Sequence, residues 1–399
     1  MMNMLDFELF YNHRNSSNNP EVPMKSVLLF DGVFQYGVVS EFLNEMVTTL
    51  PKFNLKPIRV NLTTNEIQKL ETVDFDSIAC AICFNGIGAA LEYKGQSFFE
   101  TTNIPVLHIL VDHPAFHVDR LTLLANQAIS CVDQTHVEFL KGVGCPQVFL
   151  LLHGGPSEAT TVEKDRPIDI LFPASFSNDL LKGEHWDQKY GDLAQILNDI
   201  RNEELEDPLD GIEQRILEHS LAVNLVGETN VSSTYMEIVK DLNLYFRHKS
   251  RLELLESLDK QGQEVHLCGI GWENQEFVNH KYLGQCSFKE TQDHMKNAKI
   301  ILDSSPFHPI GLHERLLYGA MSGAAVASDQ NLIKEQIFEH KVDAVLYNRK
   351  NLSTLGNDLR NIIVDGSWKE IALGGQKKIK DSHTWKHRTQ AIVEAFNLR

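Results

Sequence analysis

From Lys25 to about Pro156, apolar runs recur along the chain, each closed by small or polar residues and followed by an amphipathic stretch. SVLLF stops at Asp31-Gly32, SIACAICF at Asn85-Gly86-Ile87-Gly88 and PVLHILV at Asp112-His113-Pro114. AISCV stops at Asp133 and QVFLLL at His153-Gly154-Gly155. Continuous apolar strands that alternate with helices predict a parallel sheet covered on both faces.

The pattern restarts near Arg166. PIDILFPAS reads as a strand ending in Ser175, Ser177 and Asn178. A helical tract from about Glu184 to Leu258 follows, broken by EELEDPLDG and GETNVSST. Strands EVHLCG and KYLG, a helix over Phe288–Asn297 and the strand KIILDSSP lead into GLHERLLYGAMSGAAVASD. DAVLY, a helix around Leu352–Ile363 and a last helix from His383 to Phe396 close the chain. The expected architecture is α/β, with two Rossmann-like doubly wound domains facing across a cleft. The expected division is a flexible lead-in at 1–23, an N-terminal domain at 24–160 and a C-terminal domain at 166–382. The second domain carries a helical insertion at about 184–258, and a terminal helix spans 383–399. The linker falls around Gly154–Pro167.

A length of 399 residues fits two domains, and 42% hydrophobic residues supply two cores. A net charge of −17 argues against a nucleic-acid partner, whose phosphates need clustered Lys and Arg. No apolar run reaches the roughly 20 residues of a membrane span. The first residues lack a basic segment followed by an apolar core, so the expected compartment is the cytoplasm. Cys80 and Cys83 spell C-x-x-C, but within a strand i and i+3 point to opposite faces. They read as buried thiols, and no zinc spacing occurs elsewhere.

In doubly wound sheets ligands bind beyond the carboxyl ends of the strands. Position alone therefore makes Asp31, Asn85, Asp112, His113 and Asp133 candidates, against the competing reading of turn formers and caps. His113 has the intrinsic proton affinity of a base near neutrality, with Asp112 to orient it. Asp31 and Asp133 compete for that role. Asp74-Phe75-Asp76 matches a metal-binding D-x-D, but precedes its strand and so belongs at the wrong end of the sheet.

The segment Gly311–Asp329 reads as a glycine-opened helix, a glycine stop at Gly323 and a short strand. Leu312, Leu316, Leu317, Ala320 and Met321 form its apolar face. His313, Glu314 and Arg315 cluster on the first turn, where unpaired N–H groups and the helix dipole favour an anion. The competing reading gives Glu314 to the dipole and Arg315 to a surface acid.

This segment resembles the C-terminal domain of GT-B glycosyltransferases, in particular the spore-maturation CgeB-type group. The matching residues are Gly311, His313, Arg315, Ala320-Met321-Ser322-Gly323, Ala324–Ser328 and Asp329. KYLGQCSFKETQDHMKNAKIILDSSP, Asp343–Tyr347 and His383-Thr384-Trp385-Lys386-His387-Arg388 resemble flanking pieces, extending the likeness over roughly Val265 to Phe396. The resemblance implies a GT-B fold whose terminal helix packs back toward the N-terminal domain. It implies transfer of a sugar from a nucleoside-diphosphate sugar to a glycan, protein or small-molecule acceptor, with no metal or other cofactor. Expected donor-binding residues are Ser175, Lys182, Tyr282, Ser304, Ser305, Gly311, His313, Glu314, Arg315 and Tyr318. Tyr318 stands where many relatives carry a ribose-binding Glu, and Ile310 stands where the retaining group carries its earlier Glu. Alternatives are a sugar-nucleotide epimerase or hydrolase of the same fold, or a non-catalytic nucleotide-sugar-binding relative.

Overall fold

The computed structural model describes residues 24–398 apart from 33–36, 118–119, 122–125, 163–164, 204–210, 223–224 and 226–231. The expected lead-in at 1–23 lies outside the described residues. The first half contains strands β1 (Ser26–Asp31), β2 (Lys56–Asn61), β3 (Ile78–Phe84), β4 (Glu92–Tyr93), β5 (Gln96–Ser97), β6 (Val106–Leu110), β7 (Gln127–Cys131) and β8 (Val148–Leu150). Its helices are α1 (Val38–Thr49), α2 (Phe98–Thr102) and α3 (Gln134–Gly142).

The second half contains strands β9 (Ile168–Pro173), β10 (His266–Cys268), β11 (Lys281–Gly284), β12 (Ala298–Asp303), β13 (Ala325–Asp329) and β14 (Val345–Tyr347). Helix α4 (Asn178–Lys182) precedes the expected insertion, which α5 (Glu184–Tyr190), α6 (Ala194–Asn202), α7 (Ile212–Glu218) and α8 (Ser233–Lys260) fill. Helices α9 (Phe288–Met295), α10 (Glu314–Met321), α11 (Leu332–Ile337), α12 (Leu355–Val364), α13 (Trp368–Ser382) and α14 (Trp385–Ala395) complete the chain.

Two six-stranded sheets result, ordered β2-β1-β3-β6-β7-β8 and β11-β10-β9-β12-β13-β14. Every pairing within them is parallel. The strand order reverses between β1 and β3 in the first sheet and between β9 and β12 in the second. Those are the positions where doubly wound sheets open a crevice at their carboxyl ends. Cys80 and Cys83 lie on opposite faces of β3, in separate apolar clusters, and both are free.

Among the elements absent from the sequence pattern are β2 and α13. β2 is an edge strand whose residues are mostly half-exposed, so it carries no continuous apolar run. Helix α13 contains Gly374-Gly375, which reads as a break. A Cβ at either glycine would lie 2.5 Å from a carbonyl oxygen, of Val342 or Asp343 respectively. The pair lets the helix backbone press against the segment before β14.

Helix α14 leaves the second half and packs on the first. Thr389 and Thr49 share a hydrogen bond of 2.9 Å, and the Trp385 ring lies 4.8 Å from that of Phe42 on α1. Gly154 makes room for this crossing, since a Cβ there would stand 2.8 Å from Trp385.

Candidate active site

The carboxyl ends of both sheets frame a cleft of ≈ 590 Å³. The first half contributes Asn85 after β3 and Asp112 after β6, and the second half contributes Pro173–Ser175 after β9. The start of α10 brings His313, Glu314, Arg315 and Tyr318, and α8 brings Arg247 and Arg251.

Arg315 spans the crevice of the second sheet. Its Nε donates to the Pro173 carbonyl at 2.8 Å and one terminal nitrogen donates to Asp303 Oδ1 at 2.7 Å. Arg251 donates to the Ser175 carbonyl at 2.6 Å, and its Nε has no partner although the residue is only 6% exposed. Arg247, one helical turn before Arg251, stacks on the Phe307 ring at 3.9 Å and comes within 3.9 Å of Asp112. Its Nε is likewise without a partner. Burial first, then the charges of Arg315 and Arg247, push the proton affinity of Arg251 well down. That is the signature of positive charge gathered without enough negative charge to match, and it favours an anion.

At the helix start itself, His313 is the cap, its Nδ1 accepting from the Arg315 N–H at 3.2 Å. Burial, followed by the Arg315 charge, pushes His313 well below the ordinary imidazole range. The Tyr318 hydroxyl lines the cleft, is buried and has no partner among the described residues.

Across the cleft, Asp112 accepts from Asn85 Nδ2 at 3.3 Å and lies 3.7 Å from His117 Nε2. Burial alone would raise its proton affinity. The nearby His117 imidazole and the Arg247 charge outweigh it and hold the carboxyl well below the usual range. Asp112 is therefore an ionised, half-exposed carboxylate facing the arginines.

The remaining expected residues fall elsewhere. His113 points away from the cleft: its Nδ1 accepts from the Ala115 N–H at 3.1 Å and its Nε2 meets Glu213 at 2.8 Å. Asp31 is buried, and its oxygens accept from Arg59, Ser40 and the Gly32 N–H. Ser305 bonds Asp303 and Lys334 beneath the cleft floor, and Ser304 is buried beside Tyr347. Lys182 is exposed and pairs with Asp179, and Tyr282 sits on edge strand β11. Gly311 serves the junction between halves. The Ile310 N–H donates to Asp133 Oδ2 at 2.8 Å, and a Cβ at Gly311 would lie 2.6 Å from the Val132 carbonyl oxygen. Asp133 is thus committed to that junction and to capping α3, where Thr135 N–H donates to it at 2.7 Å.

Arg247, Arg251 and the Asp303 partner of Arg315 were not picked out from sequence. Arg247 and Arg251 stand four apart on a tract rich in charge, and nothing local separates them from solvated side chains.

Residues 247–394 match a protein-family model described as glycosyl transferase-like. No curated protein sequence matches the chain. Among solved structures, T4 phage BGT in complex with UDP-glucose superimposes with a TM-score of 0.52 at 12% identity, covering 94% of this chain and 100% of that one. AviGT4, a glycosyltransferase involved in avilamycin A biosynthesis, gives 0.52 at 11% identity over 94% and 97%. An alpha-glucosyltransferase in complex with UDP-glucose and DNA containing an abasic site gives 0.50 at 8% identity over 93% and 99%. The chain has the GT-B fold. Its matched region begins at Arg247, so the family-like portion of this GT-B protein includes α8's arginines as well as α10. Among the described residues no helix is long and apolar enough to cross a membrane.

Proposed function

We propose that this chain is a glycosyltransferase that moves a sugar from a nucleoside-diphosphate sugar to an acceptor hydroxyl. The observation that carries the reading is the convergence of Arg247, Arg251 and Arg315 with the start of α10 on one cleft between two parallel sheets. The acceptor oxygen attacks the anomeric carbon and the bond from that carbon to the diphosphate oxygen breaks. The charge that builds on the leaving diphosphate is met by guanidinium groups and backbone N–H groups already in place, usually the largest contribution to such a step. Asp112 orients the acceptor hydroxyl and takes its proton. It replaces His113 in that role because His113 is turned toward Glu213. Three arginines supply the neutralisation that a divalent cation would otherwise give, so transfer proceeds in EDTA. Ser175 and Tyr318 are the polar groups best placed for the donor's remaining hydroxyls.

The test is thermal denaturation against a panel of nucleoside-diphosphate sugars that includes UDP-glucose. A ligand at a hundredfold excess over its dissociation constant stabilises the native state by about 2.7 kcal/mol. At least one donor should raise the melting temperature of the wild type and of Asp112→Asn, but not of Arg251→Ala. Asp112→Asn should then fail to transfer. Stabilisation of Arg251→Ala equal to the wild type would remove the arginine cluster from the donor site.

A further inference from the structure

A second carboxyl faces the same cleft and has no part in the transfer just described. Glu314 opens α10, with one oxygen 3.2 Å from His313 Nδ1 and 3.7 Å from His153 Nε2. Neither imidazole supplies a compensating charge. Burial first, and neighbouring cations after it, hold His313 neutral, and burial takes His153 down to about 4. The other groups facing Glu314 divide by sign. Arg315 follows it on the same turn, and Arg247 and Arg251 act on it from α8. Asp112 after β6 and Asp303 at the end of β12 oppose them, and Tyr318 stays protonated in its buried position. Burial, with Asp112 and Asp303 adding to it against Arg315, pushes the Glu314 carboxyl up to about 7.

The geometry has a consequence for any anion that docks here. An ionised Glu314 occupies the positive end of α10 and shares the same arginines that a diphosphate would use. The unpartnered Nε of buried Arg251 marks the cleft as built to receive a further acceptor of hydrogen bonds. Two anionic groups side by side in a buried cleft do not both stay charged when one can take a proton.

We propose that Glu314 takes up a proton when a nucleoside-diphosphate sugar docks, so that donor binding and proton binding at this carboxyl are one coupled event. The protonated acid then offers its O–H to a phosphate oxygen instead of repelling it. The inference rests on the donor-site reading above. Because a docked dianion raises the proton affinity of Glu314 further, the complex holds a proton that the free protein has begun to lose. Donor affinity is therefore greatest on the acid side of neutrality and falls as pH rises.

Calorimetric titration with UDP-glucose tests this, because a diphosphate esterified at both ends keeps its charge across the range. Measured at about pH 6, 7 and 8.5 in two buffers of different ionisation enthalpy, binding should take up roughly half a proton per site near neutrality and much less at about pH 6. The dissociation constant should be about tenfold higher at the alkaline end if the complex raises Glu314 by one pH unit. Glu314→Gln should bind with a flat pH profile and no uptake, and Glu314→Asp should retain both effects. Wild-type binding without proton uptake, or uptake that survives in Glu314→Gln, overturns the inference and leaves the donor site standing. If UDP-glucose does not bind, the titration uses the panel member that stabilises the protein, and absence of binding by every nucleoside-diphosphate sugar of the panel near about pH 6 would instead overturn the donor-site reading and the inference with it.

Discussion

Substituting Asp303 by alanine probes the support beneath the cleft. Asp303 is fully buried at the end of β12. It accepts from Arg315 at 2.7 Å, from Ser305 Oγ at 2.9 Å and from Ser328 Oγ at 2.8 Å. Lys334, also fully buried, lies 3.7 Å from it and bonds Asp329 at 2.7 Å, and Arg349 approaches Asp329 at 3.5 Å. Charges thus alternate from Arg315 through Asp303, Lys334 and Asp329 to Arg349. Removing Asp303 leaves Arg315 without its carboxylate and Lys334 with only one acid. Breaking a buried pair from one side costs about 3–5 kcal/mol, because the surviving charge is stranded away from water. Whole-protein stabilities run to about 5–15 kcal/mol, so the loss is a large fraction of the total. Urea denaturation followed by tryptophan fluorescence should show a lower midpoint with an unchanged slope. Asp303→Asn keeps the size and some hydrogen bonds, and should fall between alanine and wild type. A midpoint for Asp303→Ala within about 1 kcal/mol of wild type would refute the reasoning, since surface pairs lose no more than that.

Two further outcomes follow from the contacts between the halves. Gly311→Ala drives a Cβ to 2.6 Å from the Val132 carbonyl and 2.7 Å from Asp133 Oδ2, so melting should drop by the equivalent of about 1–3 kcal/mol; an unchanged melting temperature would mean the halves do not meet there. His153 is buried and neutral, held down to about 4, whereas the unfolded chain's imidazole protonates below about 6.5. The stability this gives is intact above the unfolded value and is lost as pH falls toward the folded one, at up to about 1.4 kcal/mol per unit. Melting temperatures from about pH 7.5 to 5 should therefore decline, and His153→Gln should decline less; equal slopes would rule His153 out.

Much of the fold was legible because buried parallel strands announce themselves as unbroken apolar runs. Every such run in the first half ends at the cleft side of its sheet, and the helix at Glu314–Met321 showed its apolar face in sequence. The candidate site was harder to read, because position at a strand end does not fix side-chain direction. Asp112 and His113 are adjacent in sequence, yet one enters the cleft while the other turns back to Glu213. Gly311 read as the glycine that opens the donor helix, and only the fold shows that its missing side chain also makes room for Val132 and Asp133 from the other half. Arg247 and Arg251 were hidden for a different reason. Their neighbours in space, Asp112, Ser175 and Phe307, are far from them in sequence, and only the packing of α8 brings them together.

The terminal helix has a bearing on how this protein can be recombined. By chain order 384–398 belong with the second half, yet Trp385, Val393, Phe396 and Leu398 are buried in the same apolar cluster as Phe42 and Met46 of α1. A chimera that exchanged donor halves at the linker would therefore import a foreign tail into the native first half. A viable graft has two junctions, one near the linker and one near Ser382, with the tail inherited from the parent that supplies α1.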